Sequence, residues 1–389
     1  MDGATQLPIV GMVGAGQLAR MTHQSAIALG QSLRVLASAD DESAATVASD
    51  VVYGDYTHLN ALRRFASGCT VVTFDHEHVP ATALRQLLSD GVPVQPTPAA
   101  LQYAQDKQLM RQKLQELGAP IPRWAPVASV EDIADFGLPC VLKAARGGYD
   151  GKGVWMIDSL DEAEAVLGSG IRLIVEEKAH LQRELAIQVA RSPSGEMKAF
   201  PIVETVQVDG VCVEVLAPAP DLDPVMAKDL TELGKTIASE LGVCGMLAVE
   251  LFQTPTGVTV NELAMRPHNS GHWTMDGATT SQFEQHLRAV LDYPLGDPTP
   301  VAPYTVMANV LGGYHRPEAD EPTRRGGGPR LDERLQRLMA DDPGVKVHLY
   351  GKAVRPGRKI GHVNVSGSDP VALRTRADRA AAWLRDGRA

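Results

Sequence analysis

Residues 245–265, GMLAVELFQTPTGVTVNELAM, decide how this chain is put together. Two apolar, strand-forming runs flank Pro255, Thr256 and Gly257, the residue types of a tight turn, so the stretch reads as a β-hairpin. With those three residues as the loop and Gly257 in the left-handed position, Glu250 and Glu262 stand directly opposite on one face. Like charges so placed disfavour a sheet. A divalent cation between them reverses the sign, and hard oxygen ligands completed by nucleotide phosphates are what Mg²⁺ prefers. The plain alternative is two solvated surface glutamates, because a one-residue change of register would separate their faces.

Just downstream, MRPHNSGHW at 265–273 is polar and irregular, which sets Arg266, His268 and Asn269 at the mouth of the same site. His268 and His272 have the spacing of a zinc-binding helix, but Pro267 and Gly271 disfavour that helix and its HExxH glutamate is missing. Upstream, GGYDGKG at 147–153 places four glycines in seven residues between the strand-like runs PCVLKAA and GVWMI. Backbone N–H groups there can close over an anion as a phosphate lid. The loop lacks the Lys-Ser/Thr ending and following helix of a Walker motif. An ordinary hairpin turn is the alternative, yet such a turn has no need of Tyr149, Asp150 and Lys152. Lys143, on the strand leading in, can reach nucleotide phosphates as a point charge.

The N-terminal run PIVGMVGAGQLARMTHQSAIALG, closed by Gly30, reads as strand, glycine turn and amphipathic helix, followed by the strand LRVLAS. VVTF at 71–74, ATALRQLLSDG and VPVQP continue a doubly wound α/β pattern to about residue 97. Gly14, Gly16 and Ala19 form a G-x-G-x-x-A turn with Asp40 downstream, which taken alone points to a dinucleotide. A structural or phosphate-binding use is the alternative, since any strand turning tightly into a helix wants glycine there. Gln17 faces the same crevice and can bind a different substrate.

A helix from about Asp106 to Gly118, then Pro120, Pro122 and Pro126, marks a boundary. Residues 139–191 alternate as a small α+β lobe ending in the strand ELAIQVAR. Strands AFPIVETVQV and VCVEVLA, a long helix from Met226 and the hairpin make a central antiparallel sheet. TVMANVLGG, VKVHLYG, IGHVNVSG and a final helix suggest a smaller C-terminal unit. The expected division is therefore 1–105, wound α/β; 106–195, small lobe with the glycine lid; and 196–389, central sheet and C-terminal unit.

The 389 residues suffice for two or three cores, and a formal charge of −10 argues against a nucleic-acid-binding surface. An anionic substrate must therefore meet a local basic pocket. One candidate is GKAVRPGRKIGH at 351–362, where Lys352, Arg355, Arg358 and Lys359 form either a solvated face or a phosphate clamp. Cys69, Cys140, Cys212 and Cys244 lie far apart, as suits reduced core thiols in the cytosol. No apolar run approaches the ~20 residues needed to cross a bilayer, and MDGATQLP lacks the features of a signal peptide, so a cytoplasmic location is expected. RRGGGPR at 324–330 reads as an exposed loop.

Taken together, VGAGQLARM, GGYDGKG, VNELAMRPHNSGHWTMDGATTSQFEQHLRA and GKAVRPGRKIGH resemble N5-carboxyaminoimidazole ribonucleotide synthetase, an ATP-grasp family of purine biosynthesis, over roughly residues 9–366. The resemblance implies a three-part ATP-grasp fold with an N-terminal pre-ATP-grasp domain, and a homodimer. It also implies a reaction in which aminoimidazole ribonucleotide, bicarbonate and ATP give the N5-carboxylated nucleotide, ADP and phosphate through carboxyphosphate. By the same resemblance Lys107 and Lys143 contact ATP. Gly148, Tyr149, Asp150, Gly151, Lys152, Gly153 and Val154 cover its phosphates. Glu176, Glu177, Lys178 and Ala179 form the adenine hinge, Glu184 holds the ribose, Asn261 lies beside the nucleotide, and Glu250 and Glu262 hold Mg²⁺.

For the second substrate the resemblance points to Tyr149, Asp150, Lys152, Arg266, His268, Asn269, Lys352 and Arg358, beside Gln17 from the crevice reading. Asp150 and Lys352 are expected to orient or relay protons at the amine, and Arg266 to stabilise carboxyphosphate. FDHEHVP at 74–80 departs from the family's usual Phe-Glu-Phe-Glu-Asn-Val-Pro, and Gln207 stands where His is common, leaving Asp75, Glu77 and Gln207 without assigned roles. Three rivals remain: an NAD-dependent oxidoreductase, an ATP-binding module without turnover, and an ATP-grasp ligase for formate or another acyl group.

Overall fold

The computed structural model describes residues 1, 3–148, 151–313 and 329–387. Tyr149, Asp150 and most of the 324–330 stretch lie outside the described residues. The first unit comprises β1 (Ile9–Val13), α1 (Gln17–Ala28), β2 (Ser32–Ala37), β3 (Asp50–Tyr53), α2 (Leu59–Ala66), β4 (Val71–Phe74), α3 (Ala81–Ser89) and α4 (Pro98–Gln105). Its strands form a parallel sheet in the order β3-β2-β1-β4. Parallel strands need crossover connections: α1 supplies that from β1 to β2 and α2 that from β3 to β4, while residues 38–49 link β2 to β3 without a helix. The run VPVQP makes only a single bridge, Val94 to Val72, because Pro93 and Pro96 cannot donate to a ladder.

After α5 (Lys107–Glu116) come β5 (Trp124–Val127), α6 (Val130–Phe136), β6 (Cys140–Ala144), β7 (Val154–Ile157), α7 (Leu160–Leu167) and β8 (Leu173–Glu177). The four strands pair antiparallel in the order β5-β8-β6-β7. One face of this lobe buries Ile133, Leu142, Ile157, Ala163 and Val175 against α6 and α7. Val141, Lys143 and Glu176, on the alternate positions, are left for the other face.

The remaining elements are β9 (Arg183–Arg191), β10 (Met197–Ala199), β11 (Val203–Val208), β12 (Val211–Ala217), α8 (Pro224–Glu240), β13 (Gly245–Thr254), β14 (Gly257–Ala264), α9 (Thr274–Gly277), α10 (Gln282–Val290), β15 (Tyr304–Leu311), α11 (Leu331–Asp341), β16 (Lys346–Leu349), β17 (Lys359–Gly367) and α12 (Pro370–Asp386). Their strands, among the described residues, make one sheet ordered β14-β13-β9-β11-β12-β15-β17-β16, with β10 on β9. The expected small lobe reached residue 195, but β9 pairs with β13 and β11 in this large sheet. Its alternation explains why. Leu185, Ile187 and Val189 are buried in the cluster to which α8 contributes, and need the larger apolar surface. The strands of the expected smaller C-terminal unit, β15, β17 and β16, join the central sheet where β15 pairs with β12, consistent with the 196–389 grouping.

His286 fastens the first unit to this sheet. Its Nδ1 accepts from Met246 N at 3.2 Å, so Nε2 carries the proton and faces Thr73 Oγ1 at 2.8 Å. Burial holds its pKa down at about 3, so the ring is neutral. The four cysteines are free thiols. Among the described residues, no helix is long and apolar enough to cross a membrane.

Candidate active site

The acidic pair faces as expected, for a different reason. The hairpin loop is two residues, Pro255 and Thr256, not three, since Thr254 pairs with Gly257 and Leu251 with Val260. Continued unchanged, that register would set Asn261 opposite Glu250 and turn Glu262 to the far face. A bulge between Glu250 and Leu251 in the ladder shifts it, and Glu250 pairs with Glu262. The extra residue is Asn261, so Asn261 and Glu262, although consecutive, both line one cavity of about 1020 Å³.

The cavity lies between the small lobe, the large sheet and the C-terminal ends of the first unit's strands. On the nucleotide side, Lys107 Nζ is 2.9 Å from Glu262 Oε1, and Lys143 Nζ is 2.7 Å from Glu176 Oε2. Lys143 also donates to Asn261 Oδ1 at 3.0 Å. Lys107 is presented by α5, whose N-cap Asp106 accepts from Gln108 N at 3.1 Å and Leu109 N at 3.3 Å. The backbone N–H of Lys107 donates to Ala145 O at 2.8 Å, which ties the start of α5 to the end of β6.

Electrostatics separate the carboxylates. Burial, then Glu262 and Glu184, push Glu250 above the usual carboxylate range. Burial would raise Glu262 too, but Lys107, with Lys143 and Arg111, more than offsets it. Burial also opposes the Glu176 charge, yet Lys143 and Arg111 hold that group at about 2. Glu184, buried with only Lys143 in partial compensation, rises to about 7. His268 Nε2 lies 3.3 Å from Glu250 Oε1. Ser270 N donates to His268 Nδ1 at 3.4 Å, which leaves the proton on Nε2, aimed at Glu250. Burial, with Arg266 and Lys359, keeps this imidazole neutral by lowering its pKa to about 3.

Glu176, Glu177, Lys178, Ala179 and Glu184 line the cavity where β8 passes into β9. The Glu176 side chain is spent on Arg111 and Lys143, so this stretch offers a ligand its backbone and the apolar wall of Val141, Val154, Met156 and Phe252. In the glycine loop, Gly147, Gly151 and Gly153 have φ of +81°, +75° and +76°, where side chains strain. A Cβ on Gly151 would lie 3.2 Å from the Gly210 Cα, so the loop rests on the turn between β11 and β12. Gly148, Gly151 and Val154 line the cavity, and Lys152 and Gly153 belong to the same loop.

On the opposite side stand Gln17, Arg266, His268 and Asn269. Glu77, without a role from sequence, accepts from Arg266 Nε at 2.8 Å and from Met265 N at 3.1 Å, fixing the guanidinium at the cavity edge. Asn309 Nδ2 holds Asn269 Oδ1 at 3.2 Å. Gln207 lines the wall. In the basic loop, Lys352 Nζ donates to Gln17 Oε1, so it reaches the cavity wall at that amide. Arg358 turns back to Ala353 O at 3.4 Å, while its neighbour Lys359 lines the cavity, because successive residues entering β17 point to opposite faces.

The G-x-G-x-x-A turn is also occupied. Asp75 accepts from Gly16 N and, at 3.3 Å, from Ala19 N, placing the chain's own carboxylate where a dinucleotide's pyrophosphate would sit. A Cβ on Gly14 would lie 2.9 Å from the Asp75 Cβ.

A parallel α/β unit, an antiparallel lobe and a broad antiparallel sheet closing on paired lysines and paired glutamates define an ATP-grasp enzyme. Three family models match in order: the ribonucleotide synthetase preATP-grasp domain over 7–105, the ATP-grasp domain over 112–283 and the phosphoribosylaminoimidazole carboxylase C-terminal domain over 305–376. The N5-carboxyaminoimidazole ribonucleotide synthase of Mycobacterium tuberculosis is 55% identical across 98% of this chain and 89% of its own length. The synthetase structure from Thermus thermophilus superposes with a TM-score of 0.83 at 34% identity, covering 98% and 99% of the two chains. The enzyme from Aspergillus clavatus, solved with ADP and 5-aminoimidazole ribonucleotide, gives 0.85 at 29% identity over 97% and 98%. The chain belongs to the N5-carboxyaminoimidazole ribonucleotide synthase family.

Proposed function

We infer that this cavity carries out the ATP-dependent carboxylation of 5-aminoimidazole ribonucleotide by bicarbonate, giving the N5-carboxylated nucleotide, ADP and phosphate. The observation that carries the reading is that one cavity joins a nucleotide half, with Lys107, Lys143, Asn261 and the acidic pair, to an anion-binding half with Gln17, Arg266, His268 and Lys359.

Glu250 and Glu262 form a pair of hard oxygen donors, and among the described residues no third His, Cys, Asp or Glu completes a metal site by itself. Such a set fits Mg²⁺, which Glu250 and Glu262 would hold together with oxygens of the nucleotide. When bound, the ion neutralises charge building up on the transferring phosphoryl group. Lys107 and Lys143 hold the phosphates on the small-lobe side, and the apolar wall with the β8–β9 connection accepts the base. Glu184, on the same cavity wall, is placed for the ribose hydroxyls.

Bicarbonate is a poor electrophile. An oxygen of bicarbonate attacks the γ-phosphorus, the bond to the ADP oxygen breaks, and carboxyphosphate results. The amine then attacks the carbonyl carbon, phosphate leaves, and the amine gives up a proton. Arg266, held rigidly by Glu77, stabilises the anion without having to reorganise. Closing the glycine loop, Gly148 to Val154, over the site excludes water that would destroy the intermediate. Lys352 acts through Gln17 to orient the nucleotide substrate, and Asp150, outside the described residues, is assigned the relay of the amine proton. The family resemblance further supports a homodimer in the cytoplasm. The discriminating experiment is phosphate release with each substrate omitted in turn. Release requiring ATP, bicarbonate and aminoimidazole ribonucleotide together supports the reading; release with formate in place of bicarbonate would move it to a sister ligase.

A further inference from the structure

Arg111 was not singled out by any motif, yet its side chain is wholly buried and joins three parts of the molecule. It leaves α5, pairs with Glu176 of β8 at 2.6 Å, and donates to Val260 O at 3.0 Å and Asn261 O at 2.8 Å on β14. The last two bonds are informative. In a regular strand successive carbonyls point to opposite edges, so one donor group cannot take both from the same side. Two consecutive carbonyls turned to one guanidinium are the backbone signature of the bulge. β14 is an edge strand, and the bulge would otherwise leave these groups unpaired beneath α5, at a cost comparable to lost hydrogen bonds. The neighbouring N–H of Val260 is likewise taken up outside the ladder, by Pro120 O at 2.7 Å.

We propose that Arg111 is the positioning residue for the acidic pair: its fork holds the Val260–Asn261 bulge, which alone keeps Asn261 and Glu262 together on the cavity side opposite Glu250. The planar guanidinium suits this task because it presents parallel donors at fixed spacing while also balancing the buried Glu176 charge. Through Glu176 and Lys143, which itself reaches Asn261 Oδ1, the same residue ties the small lobe to the bulge. Its loss lets β14 slip toward the regular register, in which Asn261 faces Glu250 and Glu262 leaves the site.

The inference rests on the metal-nucleotide reading above, and ADP binding by calorimetry separates the two. In the wild-type chain, ADP binds at least tenfold tighter with Mg²⁺ than with EDTA; a ratio near one there would sink the parent reading instead. Arg111→Met is expected to lower that ratio at least fivefold while changing metal-free ADP affinity less than threefold. A residue that only stabilised the fold would move both affinities or neither. If Arg111→Met does not fold, Arg111→Met/Glu176→Gln, which leaves no unpaired buried carboxylate, is compared with Glu176→Gln alone and should show the same fivefold loss. An unchanged Mg²⁺ ratio in whichever pair folds would overturn the proposal.

Discussion

Glu77 Oε2 accepts from Nε of Arg266 at 2.8 Å while its other oxygen takes the backbone N–H of Met265 at 3.1 Å, so one carboxylate fixes both the side chain and the strand end that carries it. Glu77→Gln keeps the shape but removes the charge that orders the guanidinium. It should lower kcat/KM for bicarbonate roughly ten- to a hundredfold, about 1.4–3 kcal/mol of lost transition-state binding. ADP affinity should not move. Steady-state kinetics with bicarbonate varied, beside an ADP titration, checks both.

Glu250 gives a pH dependence with a defined sign. Burial and its acidic neighbours raise its pKa to about 7, so near neutrality part of the population is protonated before nucleotide binds. A cation between the carboxylates needs both ionised, so Mg²⁺–ADP binding should release protons and strengthen as pH rises from about 6 to about 8. Calorimetry in buffers of different ionisation heat reads the release. Enthalpies independent of buffer at about pH 7 would contradict it.

Lys352 Nζ donates to Gln17 Oε1, an amide on the cavity wall, so the two should act as a unit. Gln17→Leu and Lys352→Met are each expected to raise KM for aminoimidazole ribonucleotide by roughly tenfold, and the double variant hardly further. Additive losses would mean that Lys352 reaches the substrate independently.

Asp75 caps α1 through Gly16 and Ala19, which makes the glycine turn a structural device. Asp75→Ala should cost about 1–2 kcal/mol of stability in urea unfolding, the range for losing a helix N-cap with its charge. Neither the wild type nor the variant should bind NADH.

The acidic pair, the glycine loop and the polar segment after β14 were legible because each combines residue types that a plain turn or surface has no use for. The wound α/β start was legible from its alternation. What escaped were features set by tertiary contacts. The hairpin reading reached the correct partners, Glu250 and Glu262, through a three-residue loop, whereas a shorter loop and a bulge produce them together. Composition cannot report a bulge whose stabilising partner, Arg111, lies 150 residues from Asn261. Likewise, the choice between Arg358 and Lys359 depends on which face β17 turns to the cavity, a matter of register at its first residue. Asp75 and Glu77 could have been recovered only by pairing their charges with a helix N-terminus and an arginine distant in sequence.

The most direct measurement is oxygen tracing. With [¹⁸O]bicarbonate, ATP and aminoimidazole ribonucleotide, the phosphate released per turnover should carry one ¹⁸O atom, handed over when carboxyphosphate forms and then loses phosphate to the amine. Phosphate without that label, its fourth oxygen drawn from water, would contradict the carboxylation chemistry assigned to this cavity.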